Sequence, residues 1–318
     1  MRVLVTGGAG FIGTNYVYAH LEKHPKDIIT VLDALTYSGN RENLAKAEEE
    51  GVQFVCGRIE DRKMVSELFE IGKFDTVVHF AAETHVDHSI SDPSLFVKTN
   101  VLGTQTLLDF ARDFGVKRFH HISTDEVYGD LGFGSTEKFT ELSAICPSNP
   151  YSASKAASDF MVMAYARTYS LPVTISRCSN NYGPYQSMEN LIPLLINRAI
   201  NNQALPIYGN GKNVRDWLFT ANHCDAILSI LEDGKPGEIY NIGGGKEWQN
   251  IDIAKLILEM LGKPESLIEF VEDRKGHDER YAIDYSKIKN ELGWEPKTSF
   301  EEGMRKTVDW YKMHIGKE

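Results

Sequence analysis

Two adjacent carboxylates behind a hydroxyl mark the segment Ile122-Ser123-Thr124-Asp125-Glu126-Val127-Tyr128-Gly129. It closes an apolar stretch, Val116 to Ile122, that reads as a strand interrupted by basic residues, and it finishes on a turn glycine. Carboxylates at a strand's carboxyl end are costly to bury. When they are buried together, their neighbours drive the two pKa values apart, and one site then holds both an acid and a base. Taken alone, the pair also fits a solvated turn. A second pair lies downstream: Tyr151 and Lys155 stand four residues apart in a helix opened by Pro150 and running to about Tyr169. That spacing places both on one helical face. A free phenol has a pKa of about 10, too high for a base at neutral pH, and a cation one turn away favours the phenolate. The same spacing also suits an amphipathic helix whose Tyr and Lys carry their polar ends to water.

The elements that must position these groups begin at the amino terminus. Arg2 to Thr6 is a β-branched run, followed at once by Gly7-Gly8-Ala9-Gly10-Phe11-Ile12-Gly13 and an apolar helical pattern to about His24. Strand, glycine turn and helix form the setting of a dinucleotide fingerprint. Gly7 permits the tight turn, Gly10 lets the backbone approach a pyrophosphate, and Gly13 lets helix pack on strand. The phosphates then face free N–H groups at the helix start. The spacing is G-x-x-G-x-x-G, and the next strand, Ile28 to Leu32, ends in Asp33, twenty residues past Gly13. A carboxylate there accepts from a ribose and repels a 2′-phosphate, which favours NAD over NADP, although Arg41 is near in sequence. Bound NAD would add a positive nicotinamide to the cation that favours a Tyr151 phenolate.

The alternation continues with a strand at Val52 to Val55, a helix at Asp61 to Ile71, a strand at Thr76 to Phe80 and a long helix from Asp92, a candidate N-cap, to Phe114. Alternating strands and helices predict an α/β fold, a Rossmann-type doubly wound parallel sheet with ligands beyond the strands' carboxyl ends. Ala81-Ala82-Glu83-Thr84-His85 and Thr124-Asp125-Glu126 both fall at such ends. After the strand Val173 to Arg177 the pattern loosens, with a helix at Leu191 to Ile200, an extended piece at Leu205 to Asn213 and a helix at Ala221 to Glu232. We expect an NAD-binding domain over 1–177, rejoined by about 214–242. A smaller α/β substrate-binding lid domain takes about 178–213 and 243–318.

The 318 residues carry 34 basic and 45 acidic side chains, a net charge of −11, with no Lys/Arg run. Nucleic acid and anionic membrane are poor partners for such a surface. The four cysteines, Cys56, Cys146, Cys178 and Cys224, are far apart and form no C-x-x-C pair. Reduced thiols, no metal site, no membrane span and no secretory leader are expected, hence a cytoplasmic protein.

With these motifs in hand, the chain resembles the extended short-chain dehydrogenase/reductase family. The carriers are T-G-G-x-G-F-I-G, a hydroxyl residue ahead of Y-x-x-x-K, and Asn181-Tyr182-Gly183-Pro184 after the next strand. Within that family it looks like the dTDP-glucose 4,6-dehydratases, through Ser123 to Gly129, Ala81 to Asp87, Pro150 to Lys155 and Asn180 to Tyr185. The second half agrees in Leu205 to Gly209, Val214-Arg215-Asp216-Trp217 and Gly276-His277-Asp278 running into Arg280 to Asp284. Relatives that epimerise sugar nucleotides carry small residues where Asp125 and Glu126 stand.

The resemblance implies oxidation of the sugar at carbon 4 by NAD, loss of water across carbons 5 and 6, and return of hydride to carbon 6. Tyr151, with Thr124 and Lys155, would take the 4-hydroxyl proton. Glu126 would remove the hydrogen at carbon 5, and Asp125, held protonated, would protonate the departing 6-hydroxyl. The cofactor would lie on Gly7, Gly10, Phe11, Ile12, Gly13, Asp33, Ile59, Ala81, Ala82 and Thr99, together with Tyr151 and Lys155. A dTDP-glucose substrate would meet Thr84, His85, Thr124, Asn180, Asn190, Leu191, Asn250 and His277. Arg215 and Arg274 would hold its diphosphate by their planar forks, and Pro206 and Tyr208 would bracket its base. Trp294 reads as packing. The chain departs from the pattern at Arg58, where an acidic residue usually meets the adenine amino group. It departs also at His88 for an arginine, Asn190 for a lysine and Lys275 for a proline. Helices Pro93 to Phe114 and Tyr151 to Tyr169 resemble a dimerising pair, predicting a homodimer across a four-helix interface. The competing readings are a UDP-sugar 4-epimerase or decarboxylase, and an idle NAD- or sugar-nucleotide-binding module. Asp125 with Glu126 argues against the first, and the intact Thr124, Tyr151 and Lys155 against the second.

Overall fold

The computed structural model describes residues 1–273 and 278–315. Strand β1 (Arg2–Thr6) runs into the glycine turn, from which helix α1 (Phe11–Lys23) starts. Then come β2 (Ile28–Asp33), the short α2 (Ala45–Glu49), β3 (Gln53–Cys56), α3 (Arg62–Gly72) and β4 (Thr76–His79). The start of α3 is fixed by the Asp61 carboxylate, which accepts from the Lys63 and Met64 amides.

The long helix expected from Asp92 to Phe114 is three pieces. α4 (Val86–Ser91) precedes α5 (Pro93–Phe96), which passes through a π-helical turn, Val97–Gly103, into α6 (Thr104–Asp113). Asp92 occupies the N-cap position, but its side chain makes no capping hydrogen bond, so Pro93 alone presets the start. Inside the break, Thr104 Oγ1 donates to the Asn100 carbonyl at 2.6 Å. That bond competes for a carbonyl that the helix would otherwise use, a local departure that neither residue's propensity announces.

β5 (Arg118–Thr124) extends two residues past the predicted end at Ile122. Ser123 and Thr124 are held by pairing with Arg177 and Cys178 of β6 (Val173–Cys178). Between them lies α7 (Pro150–Tyr169), closed at its start by a capping box of Asn149 and Ser152. The rest of the chain comprises β7 (Asn180–Tyr182), α8 (Leu191–Ile200), β8 (Leu205–Tyr208), β9 (Val214–Phe219), α9 (Thr220–Asp233) and β10 (Ile239–Ile242). It closes with β11 (Glu247–Gln249), α10 (Asn250–Leu261), β12 (Ile268–Val271), α11 (Ser286–Leu292) and α12 (Phe300–His314).

The central sheet has the order β10-β6-β5-β4-β1-β2-β3, every pair parallel. Strand order reverses between β1 and β4, which opens the crevice where such sheets bind ligands. β10, a strand absent from the sequence-based expectation, is short and interrupted by Asn241. It joins because that asparagine is satisfied inside, accepting from the Tyr128 hydroxyl and donating to the Phe139 carbonyl. Two small sheets, β11-β9-β7 and β12-β8, stand outside this one. They surround a second core in which Tyr182, Phe219 and Phe300 pack with residues of α8, α10 and α12, whereas Cys224 and Ile227 of α9 pack with Tyr16 and Val17 of α1. Trp294 is buried in packing with Leu218, Tyr240 and Ile288.

The first turn is held at minimal spacing. Gly7 has φ +71°, and a Cβ there would lie 2.6 Å from the Ala81 nitrogen; one on Gly13 would lie 2.2 Å from the Gly7 carbonyl oxygen. Gly13→Ala should therefore push α1 off the turn at a cost of about 1–3 kcal/mol. Calorimetry should show a melting temperature several degrees lower, and an unchanged one would mean that helix and turn separate freely.

Candidate active site

The crevice between β1 and β4 continues into a cleft of about 320 Å³. Its floor is the glycine turn and the first residues of α1, with Gly10 as an N-cap lacking any side-chain capping bond. The amides of that first turn are thus left toward the cleft, a setting for a diphosphate. The Gly10 position is the most open of the three glycines: a Cβ would meet only the Gly7 carbonyl oxygen, at 3.3 Å, and the Ser38 carbonyl oxygen, at 3.9 Å. Packing constrains glycine least there, and a diphosphate brought against the backbone would need it. Asp33 lies at the end of β2 with its carboxylate accepting from the Ala9 amide at 3.0 Å and the Leu35 amide at 2.8 Å. Burial raises its pKa, and those two amides oppose the rise. Every residue assigned to the cofactor from the sequence (Gly7, Gly10, Phe11, Ile12, Gly13, Asp33, Ile59, Ala81, Ala82, Thr99, Tyr151 and Lys155) lines this one cleft. Arg41 instead pairs with Glu48 at 2.7 Å.

At the far end of the cleft are the groups brought by β5 and α7. Thr124 ends β5 and caps a short 3-10 turn, Asp125–Tyr128, by accepting from the Glu126 amide at 3.3 Å. Asp125 is 1% exposed, and its Oδ2 has no hydrogen-bond partner among the described residues. Burial drives its pKa well above the usual carboxylate range, and the nearby Glu126 and Asp216 push it further; Arg215 and Thr124 oppose. Glu126 faces the cleft, beside Thr124 and Tyr151. The solvated-turn reading of the acid pair is thereby excluded for Asp125.

Tyr151 and Lys155 share the inner face of α7, as their spacing predicts, but the phenol's pKa is raised rather than lowered. Burial is the largest cause, the Glu126 charge adds to it, and a hydrogen bond with Thr124 opposes it. Lys155 donates to the Ile122 carbonyl at 2.7 Å. Burial lowers its own pKa to about 8, with Asp159 and Cys178 acting in the opposite sense. Spacing announced the face; it carried no sign of how dry the face would be.

Behind this pair runs a buried polar network. Arg177 Nε donates to Asp159 Oδ2 at 2.9 Å, and its Nη1 donates to the Tyr128 hydroxyl at 3.0 Å. His121 Nε2 lies 3.1 Å from Ser158 Oγ and 3.4 Å from Asp159 Oδ1. Removing one partner of such a buried ion pair costs about 3–5 kcal/mol, because the other charge is left uncompensated.

The substrate assignments are more dispersed. Thr84, Thr124, Asn180 and Asn190 line the cleft, and Asn180 Oδ1 is buried without a partner among the described residues. His85 stacks on His88 at 4.3 Å, and Leu191 follows Asn190 as the first residue of α8. Pro206 and Tyr208 alternate along β8, outside the cleft. Arg215 Nη2 donates to the Asp278 carbonyl at 2.9 Å, and the guanidinium lies 4.4 Å over the Tyr281 ring. Asn250 opens α10 with its Oδ1 buried and, among the described residues, unpartnered. Arg274, Lys275 and His277 lie outside the described residues. Arg58 lines the cleft beside Ile59, with its Nη1 3.5 Å from Glu60. Sequence reasoning missed Cys178, Asn181, Gln186 and Ser187 as lining residues. Asn181 was discoverable, as it adjoins Asn180 inside a noted motif; Cys178 carried only the signal of ending a strand.

Comparison with known proteins agrees with this geometry. A profile of the family described as GDP-mannose 4,6 dehydratase matches residues 4–307. The chain is 52% identical over 328 residues to a dTDP-glucose 4,6-dehydratase of Xanthomonas campestris pv. campestris (strain B100), covering 97% of this chain and 92% of that one. Its backbone matches the crystal structure of DesIV, a dTDP-glucose 4,6-dehydratase from Streptomyces venezuelae with NAD bound. There the TM-score is 0.95 and the identity 49%, over 99% of this chain and 98% of that one. It also matches a UDP-glucose 4-epimerase from Thermotoga maritima with a TM-score of 0.93 at 32% identity, over 99% and 100% of the two chains. Similar in sequence and backbone along nearly its whole length, the chain belongs to the GDP-mannose 4,6 dehydratase family, within the extended short-chain dehydrogenases/reductases.

Proposed function

We propose that this chain is an NAD-dependent nucleotide-sugar 4,6-dehydratase that converts dTDP-glucose to dTDP-4-keto-6-deoxyglucose. The observation that carries the reading is the buried Asp125 carboxyl, its pKa raised, beside Glu126 at the end of β5. Epimerases share the backbone but need no such pair, because they eliminate nothing. The similarity to dTDP-glucose 4,6-dehydratases, one of them solved with NAD, supports the same cofactor and substrate.

The residues present fit NAD. The open Gly10 position, the free amides at the start of α1 and the Asp33 carboxylate would hold its pyrophosphate and ribose. The chemistry that NAD supplies when bound is acceptance of hydride from sugar carbon 4 and its return at carbon 6. Tyr151, hydrogen-bonded with Thr124, takes the proton of the 4-hydroxyl, and the Lys155 ammonium favours the phenolate that this requires. The carbon-4 ketone acidifies the hydrogen on carbon 5, which Glu126 removes as a carboxylate. Asp125, neutral in its dry site, donates its proton to the 6-hydroxyl as that leaves as water. Asn180, Asn190 and Thr84 bind the sugar and phosphates, and Arg215 adds a cation to the diphosphate. Pro206 and Tyr208 bracket the base.

Glu126→Gln and Asp125→Asn should each lower turnover by about 10²-fold or more, on the scale of a lost general acid or base. Oxidation at carbon 4 should survive in both. Single-turnover absorbance of the reduced cofactor, together with assay of the 4-keto-6-deoxy product, separates the two steps. Wild-type turnover in both variants would remove the pair from the chemistry.

The assembly we propose is a homodimer. Val97 and Leu102 in the π-helical turn are 52% and 50% exposed, and Phe160 on α7 is 60% exposed. These apolar residues lie on neighbouring helices, and a two-fold axis would close them into a four-helix interface. Leu102→Glu with Phe160→Glu should halve the mass measured by light scattering. A dimer that persists would place the interface elsewhere. The excess of acidic charge and the free thiols of Cys56, Cys146, Cys178 and Cys224 suit the cytoplasm.

A further inference from the structure

Tyr151, Lys155 and Asp159 follow one another at four-residue intervals on the inner face of α7, and all three are buried. Asp159 is therefore one turn behind the lysine, about 6 Å along the axis. It is the carboxylate whose field reaches Lys155. It does not belong to Lys155 alone, because Arg177 enters from β6 and takes Oδ2 at 2.9 Å. Arg177 is in turn held on the other side by Tyr128, whose hydroxyl donates to Asn241 at 2.8 Å. Oδ1 faces His121 Nε2 at 3.4 Å, a polar contact that favours the carboxylate. His121 is kept neutral, its pKa lowered to about 4 by burial and then by Lys155, so it contributes no counter-charge. Burial acts to raise the Asp159 pKa, but His121, Arg177 and Lys155 together outweigh it and keep the carboxylate charged.

We propose that Asp159 is a positioning residue for the oxidation at carbon 4: a single buried carboxylate that Arg177 and His121 contact directly and whose remaining field keeps Lys155 an ammonium one turn from Tyr151. Arg177 is the other half of this device. By drawing part of the carboxylate's field it limits how firmly Lys155 holds its proton. The remaining groups around Lys155 are fixed in kind. The helix itself presents Tyr151, β4 presents neutral His79, β5 presents His121 and the Ile122 carbonyl, β6 presents the Cys178 thiol, and the acid turn presents Asp125 and Glu126. Among the described residues, Asp159 and Arg177 are the charged groups behind Lys155 that can be exchanged without touching a group assigned to the reaction.

The inference rests on the reading of Tyr151 and Lys155 as the oxidising pair, and it gives opposite signs for the two partners. Arg177→Met costs stability, as loss of either partner of this pair does, but in the folded variant it leaves the carboxylate to His121 and Lys155, so both limbs of the pH profile of kcat/KM should move upward by about one unit. In the double variant Asp159→Asn/Arg177→Met both limbs should move downward, because the nearer charge is the one lost. Asp159→Asn alone should move them the same way and further, but it strands a buried guanidinium, and the double variant serves where it fails to fold. An ultraviolet difference titration of the phenol, with Tyr151→Phe as blank, should follow the same order independently of turnover. Unfolding midpoints check that each variant is native. Limbs and phenol titration that stay in place in folded variants would overturn the inference, as would movement of both in the same direction. If Tyr151→Phe keeps wild-type turnover, the underlying reading fails instead.

Discussion

A carboxyl group taken out of water must either meet a cation or give up its charge, and Asp125 at the end of β5 has been left the second course. Its Oδ2 has no partner among the described residues, Glu126 is the next residue, and Asp216 pushes in the same direction from β9. Like charges in a dry site cannot both persist, so the pair divides into one acid and one base. The surrounding structure makes this division durable. β5 is anchored by pairing with β4 up to His121 and with β6 up to its last residue, the Thr124 hydroxyl caps the turn, and α7 packs against it. A looser lid would admit water, let Asp125 ionise and remove the proton that the elimination needs.

The same dryness works against the neighbouring pair. Burial raises the Tyr151 phenol and lowers the Lys155 ammonium, both away from the charged forms that proton abstraction uses. The compensation comes from outside the pair. The Ile122 carbonyl accepts from Lys155, Asp159 stands one turn behind, and a positively charged nicotinamide would stand in front. A parallel sheet suits such an arrangement. Its strands are buried on both faces, and at their carboxyl ends adjacent elements can aim several charges into one low-dielectric space.

Much of this was legible from local spacing. The glycine turn, Asp33 after the second strand, and Tyr151 with Lys155 each obey short-range geometry: a tight turn, a strand end, one helical face. All twelve cofactor assignments fall on a single cleft for that reason. Less legible were features created by partners distant in sequence. Asn241 interrupts β10 in the sequence, yet Tyr128 and Phe139, about a hundred residues away, satisfy it and keep the strand in the sheet. The π-helical turn at Val97–Gly103 is likewise invisible to periodicity, because Thr104 and Asn100 look like ordinary helix residues.

Local pattern was enough for the fold class, the alternation of strands and helices through β6, and the residue types at the carboxyl ends of those strands. These follow from chain connectivity and from periods of two and 3.6 residues, which operate over a few positions at a time. The charge states of the central groups had to wait for packing. Whether Asp125 is neutral, how far Tyr151 and Lys155 are pushed from their ordinary pKa values, and whether Asp159 is divided with Arg177 all depend on water excluded by strands from distant parts of the chain. Desolvation is a property of the packed assembly, and no window of sequence contains it.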